Sequence, residues 1–221
     1  MLHLASAPAS SRTLAAFLGN ITVGTTAVAL VICLGSALVR GRWDLAIAAV
    51  SVVVLANVTT QVLKHVVLHR DNLGLGVLNS LPSGHTTVVA SIALAGMIVV
   101  PRVLRPIAVA LGTFAVTLVG ASTIVATWHR PADVITALAV CVACGGLSLT
   151  VLTPSSEPGR RPFWPMSLAG AGAAGVVLVI VGVRPTGGWE GLPDAAAVLI
   201  VVGLACSLAI STFAALLSRQ P

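Results

Sequence analysis

Between residues 64 and 133 the chain gathers four of its five histidines, its only lysine and two of its six acids. In order these chemically active groups are Lys64, His65, His69, Arg70, Asp71, Ser83, His85, Ser122, His129, Arg130 and Asp133. Cations, hydroxyls and imidazoles in this mixture suit a phosphate ester, whose transfer is catalysed mainly by positioning the group and stabilising its oxygens. Lys64 and Arg70 supply positive charge. Ser83 supplies a hydroxyl and, with Gly84, backbone amides at a predicted helix start, where anions bind. A neutral imidazole can attack phosphorus and form a phosphohistidine that water later hydrolyses. His129 suits that role because Asp133, four residues on, meets it on one helical face and can hold its second ring nitrogen. His85 is then the group that protonates the leaving oxygen and later activates water. The scheme needs no metal and no other cofactor, and the acids are too few and too scattered for a two-metal site.

Each group also has a plainer structural reading. Pro82-Ser83 is an ordinary helix start with a serine cap, and His85 taken alone is a first-turn histidine bonded to backbone. Pro131 and Asp133 are first-turn residues that complement a helix dipole. His65 and His69 are four apart, a metal-ligand spacing, but no third ligand is identified. Cys141 and Cys144 have a CxxC spacing inside an apolar stretch, where small packing residues are the simpler explanation. Asp71 is either a solvated loop acid or a partner that tempers Arg70.

The elements that must position these groups are hydrophobic. Of 221 residues 57% are apolar and only 18 (12 basic, 6 acidic) are charged, against about 55 in a soluble domain of this length. A water-soluble domain is excluded. Seven apolar runs, about 13–39, 43–68, 86–100, 103–127, 133–152, 166–183 and 193–217, are separated by charged or Pro/Gly-rich breaks. At ~20 residues per span they read as an all-α polytopic membrane bundle of six to seven transmembrane helices, with residues 1–221 forming one integral-membrane domain. The first run is read as a retained span. The cluster Gly170, Gly172, Ala174 and Gly175 reads as close helix packing. The net charge of +6 is carried by scattered residues without an aromatic-rich basic surface, so a nucleic-acid partner is not expected. Cys33, Cys141, Cys144 and Cys206 all lie in apolar runs and give no disulfide framework.

Basic residues then set the orientation. Arg40, Arg42, Arg102, Arg105, Arg160, Arg161 and Arg219 fall on one side, and Arg12, Lys64, Arg70, Arg130 and Arg184 on the other. The positive-inside rule makes the first group cytoplasmic, so the chemical cluster faces the extracytoplasmic side of the cytoplasmic membrane. Trp43, Trp128, Trp164 and Trp189 fall at predicted helix ends, as an interfacial belt would place them.

With that topology, three blocks stand in order at helix ends: Lys64 with Arg70, Pro82-Ser83-Gly84-His85, and Ser122 followed by His129 and Asp133. They resemble the signature of the type 2 phosphatidic acid phosphatase superfamily, metal-independent integral-membrane lipid phosphatases, over about residues 43–152. Residues 153–221 would add two further spans to this phosphatase-like core. The resemblance implies His129 as nucleophile, His85 as acid and base, and Asp133 as the partner of His129, with Lys64, Arg70, Ser83, Gly84 and Ser122 around the phosphate. Three features depart from the family pattern. Arg70 follows Lys64 with five intervening residues where six are usual, and Asp71 replaces a proline. Thr123 stands where the third block has arginine, with Arg130 as a possible substitute or a residue that snorkels to headgroups. The order of spans is also shifted, with one before the Lys64 helix and two extra at the C-terminal end.

The resemblance implies a phosphatase for a lipid phosphate or diphosphate, with a polyprenyl diphosphate or a polyprenyl-phosphate-linked substrate as the leading expectation. The partners implied are that lipid and the bilayer. The alternatives are a lipid phosphotransferase, or a degenerate member that binds lipid phosphate without turnover. Lys64, Arg70, Ser83, His85, His129 and Asp133 are expected to line one cavity.

Overall fold

The computed structural model describes residues 4–6, 16, 18–19, 23–68, 81–126, 128–152, 163–180, 183–185 and 192–218. Its described residues form seven helices: α1 (Val23–Leu38), α2 (Trp43–Val62), α3 (Gly84–Val99), α4 (Arg105–Val125), α5 (Pro131–Leu152), α6 (Trp164–Ile180) and α7 (Leu192–Leu217). Four stretches, Trp43–Val67, Arg102–Val125, Pro131–Val151 and Ala195–Leu217, are long and apolar enough to cross a membrane, and α1, α3 and α6 contribute shorter apolar helices. The protein is an all-α membrane bundle.

Helix is the only economical state for such runs, because a backbone amide in hydrocarbon must find its partner within the segment. The breaks are as local as the runs. Gly41 has φ +67°, and the amides of Gly41 and Arg42 turn back onto Leu38 and Ala37. That is the left-handed ending that only glycine adopts without strain. Pro101 and a single 3-10 turn, Arg102–Leu104, separate α3 from α4, and Pro106 in the first turn of α4 needs no amide partner.

Packing sorts the side chains by size. The interior of α2 is largely small, with Ala46, Ala48, Ala49, Val52 and Ala56 buried, whereas Val31, Ile32, Ile107, Val151, Ile180 and Leu208 are exposed. Small residues inside let helices approach, and large apolar residues outside meet lipid. α3 packs against α1, α2, α4 and α5, and α4 makes its most extensive contact with α6. Glycines mark close approaches between helices. A Cβ at Gly120 would come within 3.0 Å of Val134, so α4 lies tightly on the start of α5. A Cβ at Gly170 would collide with the Ala110 carbonyl, whereas Gly172 and Gly175 face open space. The expected close-packing cluster is therefore narrower than its sequence suggested, with Gly170 and the buried Ala174 facing inward.

Polar side chains join the helices below the helix ends. Asn57 donates to Ser91 Oγ at 3.1 Å, Thr60 and Thr87 hydroxyls are 3.0 Å apart, and Cys141 Sγ lies 3.6 Å from the Thr87 carbonyl. Cys141 is buried and Cys144 half-buried, and all four cysteines are free thiols.

One element has no counterpart in the hydropathy pattern. Leu4–Ser6 (β1) pairs antiparallel with Val183–Pro185 (β2), Ala5 opposite Arg184. The sixth apolar run, read to residue 183, ends as helix at Ile180, and its last residue, Val183, lies in β2. The ladder joins the segment before α1 to the α6–α7 connection, two segments that the sequence also assigns to one side.

Candidate active site

The second and third blocks meet directly. Ser83 caps α3, its Oγ accepting from the Thr86 amide at 3.4 Å and the Thr86 hydroxyl at 3.0 Å. Its own backbone N–H donates to the Asp133 carbonyl at 3.0 Å, which ties the start of α3 to the first turn of α5. Ser83 and Asp133 are both fully buried. Of the two amides expected to face an anion, the Ser83 N–H is therefore already taken by protein. Gly84 and His85, the first two residues of α3, carry the amides left over at every helix start, and a Cβ on Gly84 would meet nothing within 4 Å. Open space stands beside the helix end.

The turn between α4 and α5 presents the nucleophile candidate. The Thr123 carbonyl accepts from the amides of Trp128 at 3.0 Å and His129 at 3.2 Å, so the last turn of α4 fixes where His129 begins. Asp133 Oδ2 accepts from the Arg130 amide at 2.9 Å, and His129 Nδ1 lies 3.5 Å from the same oxygen. The His129 side chain is only 7% exposed. With Nδ1 facing the carboxylate, Nε2 is the ring nitrogen available for chemistry. The i, i+4 pairing read from the sequence is thus present in space, at ion-pair distance.

His85 lies within electrostatic range of both His129 and Lys64, so the structure brings residues from three helix ends together. Its ring packs on Trp128, with centroids 5.6 Å apart and planes tilted by 45°. Sequence reasoning placed Trp128 in an interfacial belt. At that helix end the structure puts it against the candidate acid, and its place next to His129 was the signal that could have found this contact. Trp43 and Trp164, by contrast, are 67% and 60% exposed at the starts of α2 and α6.

Lys64 does not sit on a regular helix. Residues Leu63–Val67 form a π-helical turn, which widens the end of α2 and re-aims the side chains it carries; such turns are frequent at functional sites. His65, in the same turn, is exposed, and no group of three or more metal-ligating side chains occurs among the described residues. His69, Arg70 and Asp71 lie outside the described residues.

Ser122 is fully buried, and its Oγ has no hydrogen-bond partner among the described residues. Thr123, in the position of the missing arginine, is also fully buried and donates to the Gly120 carbonyl at 2.8 Å. An arginine at 123 would have to displace that packed turn. Arg130 is half-buried, its amide and carbonyl fixed by Asp133 while its side chain is left to extend.

A family model described as the PAP2 superfamily matches residues 45–156. The chain belongs to the PAP2 superfamily. No curated protein and no solved structure matches it. The matched stretch runs from the first turns of α2 to just beyond α5; it contains all three blocks and stops before α6 and α7. Membership makes the protein a phosphatase-type hydrolase of phosphate esters. Within this PAP2 protein, the departures at Asp71 and Thr123 fall at the first and third blocks, and the second block is intact.

Proposed function

We propose that this PAP2 protein hydrolyses a lipid phosphate or diphosphate through a phosphohistidine on His129, with a polyprenyl diphosphate or related polyprenyl-phosphate-linked lipid as substrate. The observation that carries the reading is the buried Asp133 carboxylate 3.5 Å from His129 Nδ1, beside the helix start that holds His85. In the first step His129 Nε2 attacks the terminal phosphorus while its bond to the bridging oxygen breaks, and His85 gives its proton to that oxygen, which leaves on the lipid monophosphate of a diphosphate or on the lipid alcohol of a monophosphate. In the second, water attacks the phosphohistidine, His85 takes the water's proton, and the P–N bond breaks to release inorganic phosphate. Asp133 stabilises the charge that develops on the His129 ring and fixes its tautomer.

Lys64, Arg70 and Arg130 supply the cations for the phosphate oxygens, and the amides of Gly84 and His85 add helix-terminus donors. The unmatched Ser122 hydroxyl supports the same reading. A buried hydroxyl without a partner costs about 1–3 kcal/mol, and a phosphate oxygen is an acceptor that would satisfy it. The excess of arginine at the opposite helix ends supports an extracytoplasmic site in the cytoplasmic membrane.

The test is release of inorganic phosphate from a polyprenyl diphosphate by the purified protein in the presence of a chelator. Turnover is expected to persist there, with an acid-labile, base-stable phosphoprotein trapped on rapid quenching. A protein that binds the lipid diphosphate but releases no phosphate is a lipid-binding member and not an enzyme.

A further inference from the structure

Below the helix ends, hydrogen-bonded rungs join α2 to α3. The deeper one runs from Asn57 to Ser91 Oγ at 3.1 Å. Its members otherwise bond within their own helices, Asn57 donating to the Val53 carbonyl and Ser91 to the Val88 carbonyl. One turn nearer the site, the hydroxyls of Thr60 and Thr87 stand 3.0 Å apart, both fully buried. Polar links of this kind are common between membrane helices. The Thr60–Thr87 rung differs in where it leads.

Thr87 donates its hydroxyl proton to the Ser83 carbonyl at 2.9 Å, and its backbone N–H donates to the same oxygen at 3.0 Å. A threonine hydroxyl has a single proton to give. Thr60 is therefore the donor to Thr87, and the chain runs in one direction, from the Thr60 hydroxyl through the Thr87 hydroxyl to the Ser83 carbonyl. That carbonyl shares its planar peptide group with the Gly84 N–H, which points the opposite way, out of the start of α3. A Cβ on Gly84 would meet nothing within 4 Å, so the helix start has open space beside it. Holding the carbonyl from both Thr87 donors fixes the peptide plane and with it the direction of the Gly84 N–H. Donation into the carbonyl also polarises the peptide and strengthens that N–H as a donor. Thr60 stands in the last turn of α2, directly before the π turn that carries Lys64. The same chain thus ties the Lys64 end of α2 to the start of α3.

We propose that Thr60 and Thr87 are positioning residues for catalysis, a hydroxyl relay that orients and polarises the Gly84 amide toward the phosphate oxygens. The assignment rests on the phosphatase reading and names what holds its helix-terminus donor in place. The full chain and its variants are compared, per folded protein, by lipid phosphate release and by binding of orthovanadate, which needs no turnover. Valine keeps the shape of threonine and removes the hydroxyl. Thr87→Val is expected to lower kcat roughly ten- to a hundredfold, as a misdirected oxyanion donor should, with KM within about twofold of wild type. Thr60→Val, one bond further from the peptide, is expected to cost roughly three- to tenfold. Thr87→Ser and Thr60→Ser restore the hydroxyl and are expected to return most of the rate, and vanadate affinity is expected to follow kcat/KM across the set. Ser91→Ala breaks the deeper rung and is expected to change kcat far less than Thr60→Val. Equal losses from Thr60→Val and Ser91→Ala, or no rescue by serine, would make the threonines ordinary helix links and overturn the assignment. A fully active Thr87→Val beside an active wild type would sink the relay and leave the phosphatase reading standing. A wild type that releases no phosphate would sink that reading, and vanadate then decides the relay: weaker binding by Thr87→Val supports it, and equal or absent binding overturns it.

Discussion

Helices α2–α5 and helices α6–α7 are both apolar, yet they are held together by different means. In the first set, hydrogen bonds connect the helices: Asn57 to Ser91 and Thr60 to Thr87 through their side chains, and the Ser83 amide to the Asp133 carbonyl. The polar groups rise toward the end where His85, His129 and Asp133 meet. In the second set, α6 meets α4 backbone to backbone at Gly170, and Phe213 of α7 lies over Gly145, 2.6 Å from where its Cβ would be. The polar links between α6 and α7, Ser167 to Ser211 at 2.7 Å and Ser207 Oγ to the Ser167 carbonyl at 3.2 Å, involve no ionisable side chain. The matched PAP2 stretch thus uses its polar residues to fix chemistry in place, while α6 and α7 use small residues to buttress its far side. Substitutions in the two regions should therefore fail differently, the first in rate and the second in stability.

The largest effect is expected at His129. His129→Ala should lower phosphate release to background, and its folded fraction should trap no phosphoprotein on rapid quenching. Turnover near the wild-type rate would remove the nucleophile assignment. Asp133→Asn follows, at roughly 10²- to 10⁴-fold in kcat, because the amide keeps the acceptor for Arg130 N–H but loses the charge that stabilises the His129 ring. A loss confined to stability would make Asp133 a helix-start residue and not a partner of His129.

Arg130→Ala tests whether this cation replaces the arginine absent at Thr123. A charge-assisted phosphate contact is worth about 1.5–3 kcal/mol, so the loss should be roughly ten- to a hundredfold, with Arg184→Ala as the control. Matching small effects would leave a two-cation site. Trp128→Leu is expected to cost roughly tenfold through the lost ring contact with His85, and Trp128→Phe to restore most of it, as a contact between rings requires. Failure of Phe to rescue would make the indole a packing residue only. The smallest change in rate belongs to α6. Gly170→Ala should destabilise by about 1–3 kcal/mol with kcat preserved in the folded fraction, whereas Gly172→Ala, facing open space, should leave the melting temperature unchanged. Equal behaviour of the two glycines would erase the distinction between the regions.

The site was legible in outline because its signals are local. Pro82-Ser83-Gly84-His85 marks a helix start by residue type, and His129 with Asp133 is placed on one face by helical geometry alone. Seven apolar runs, alternating in direction, then carry those ends to one side. Arginine counts, Gly41 at the end of α1 and Pro131 at the start of α5 belong to the same class of information. Each depends on a few neighbouring residues and on the requirement that a backbone in hydrocarbon satisfy itself.

What the tertiary structure alone decided depends on segments far apart in sequence. The Ser83 amide bonds to Asp133 and not to an anion because the starts of α3 and α5 meet, both packed against α4 around Gly120. Trp128 lies on His85 because a turn at the end of α4 passes the start of α3. Gly170 differs from Gly172 because only one faces the Ala110 carbonyl. The π turn at Lys64 and the pairing of Leu4–Ser6 with Val183–Pro185 likewise have no strong local signature. Hydropathy and motif spacing are properties of short stretches and can be read along the chain, whereas these contacts exist only once distant helices have chosen their neighbours and register.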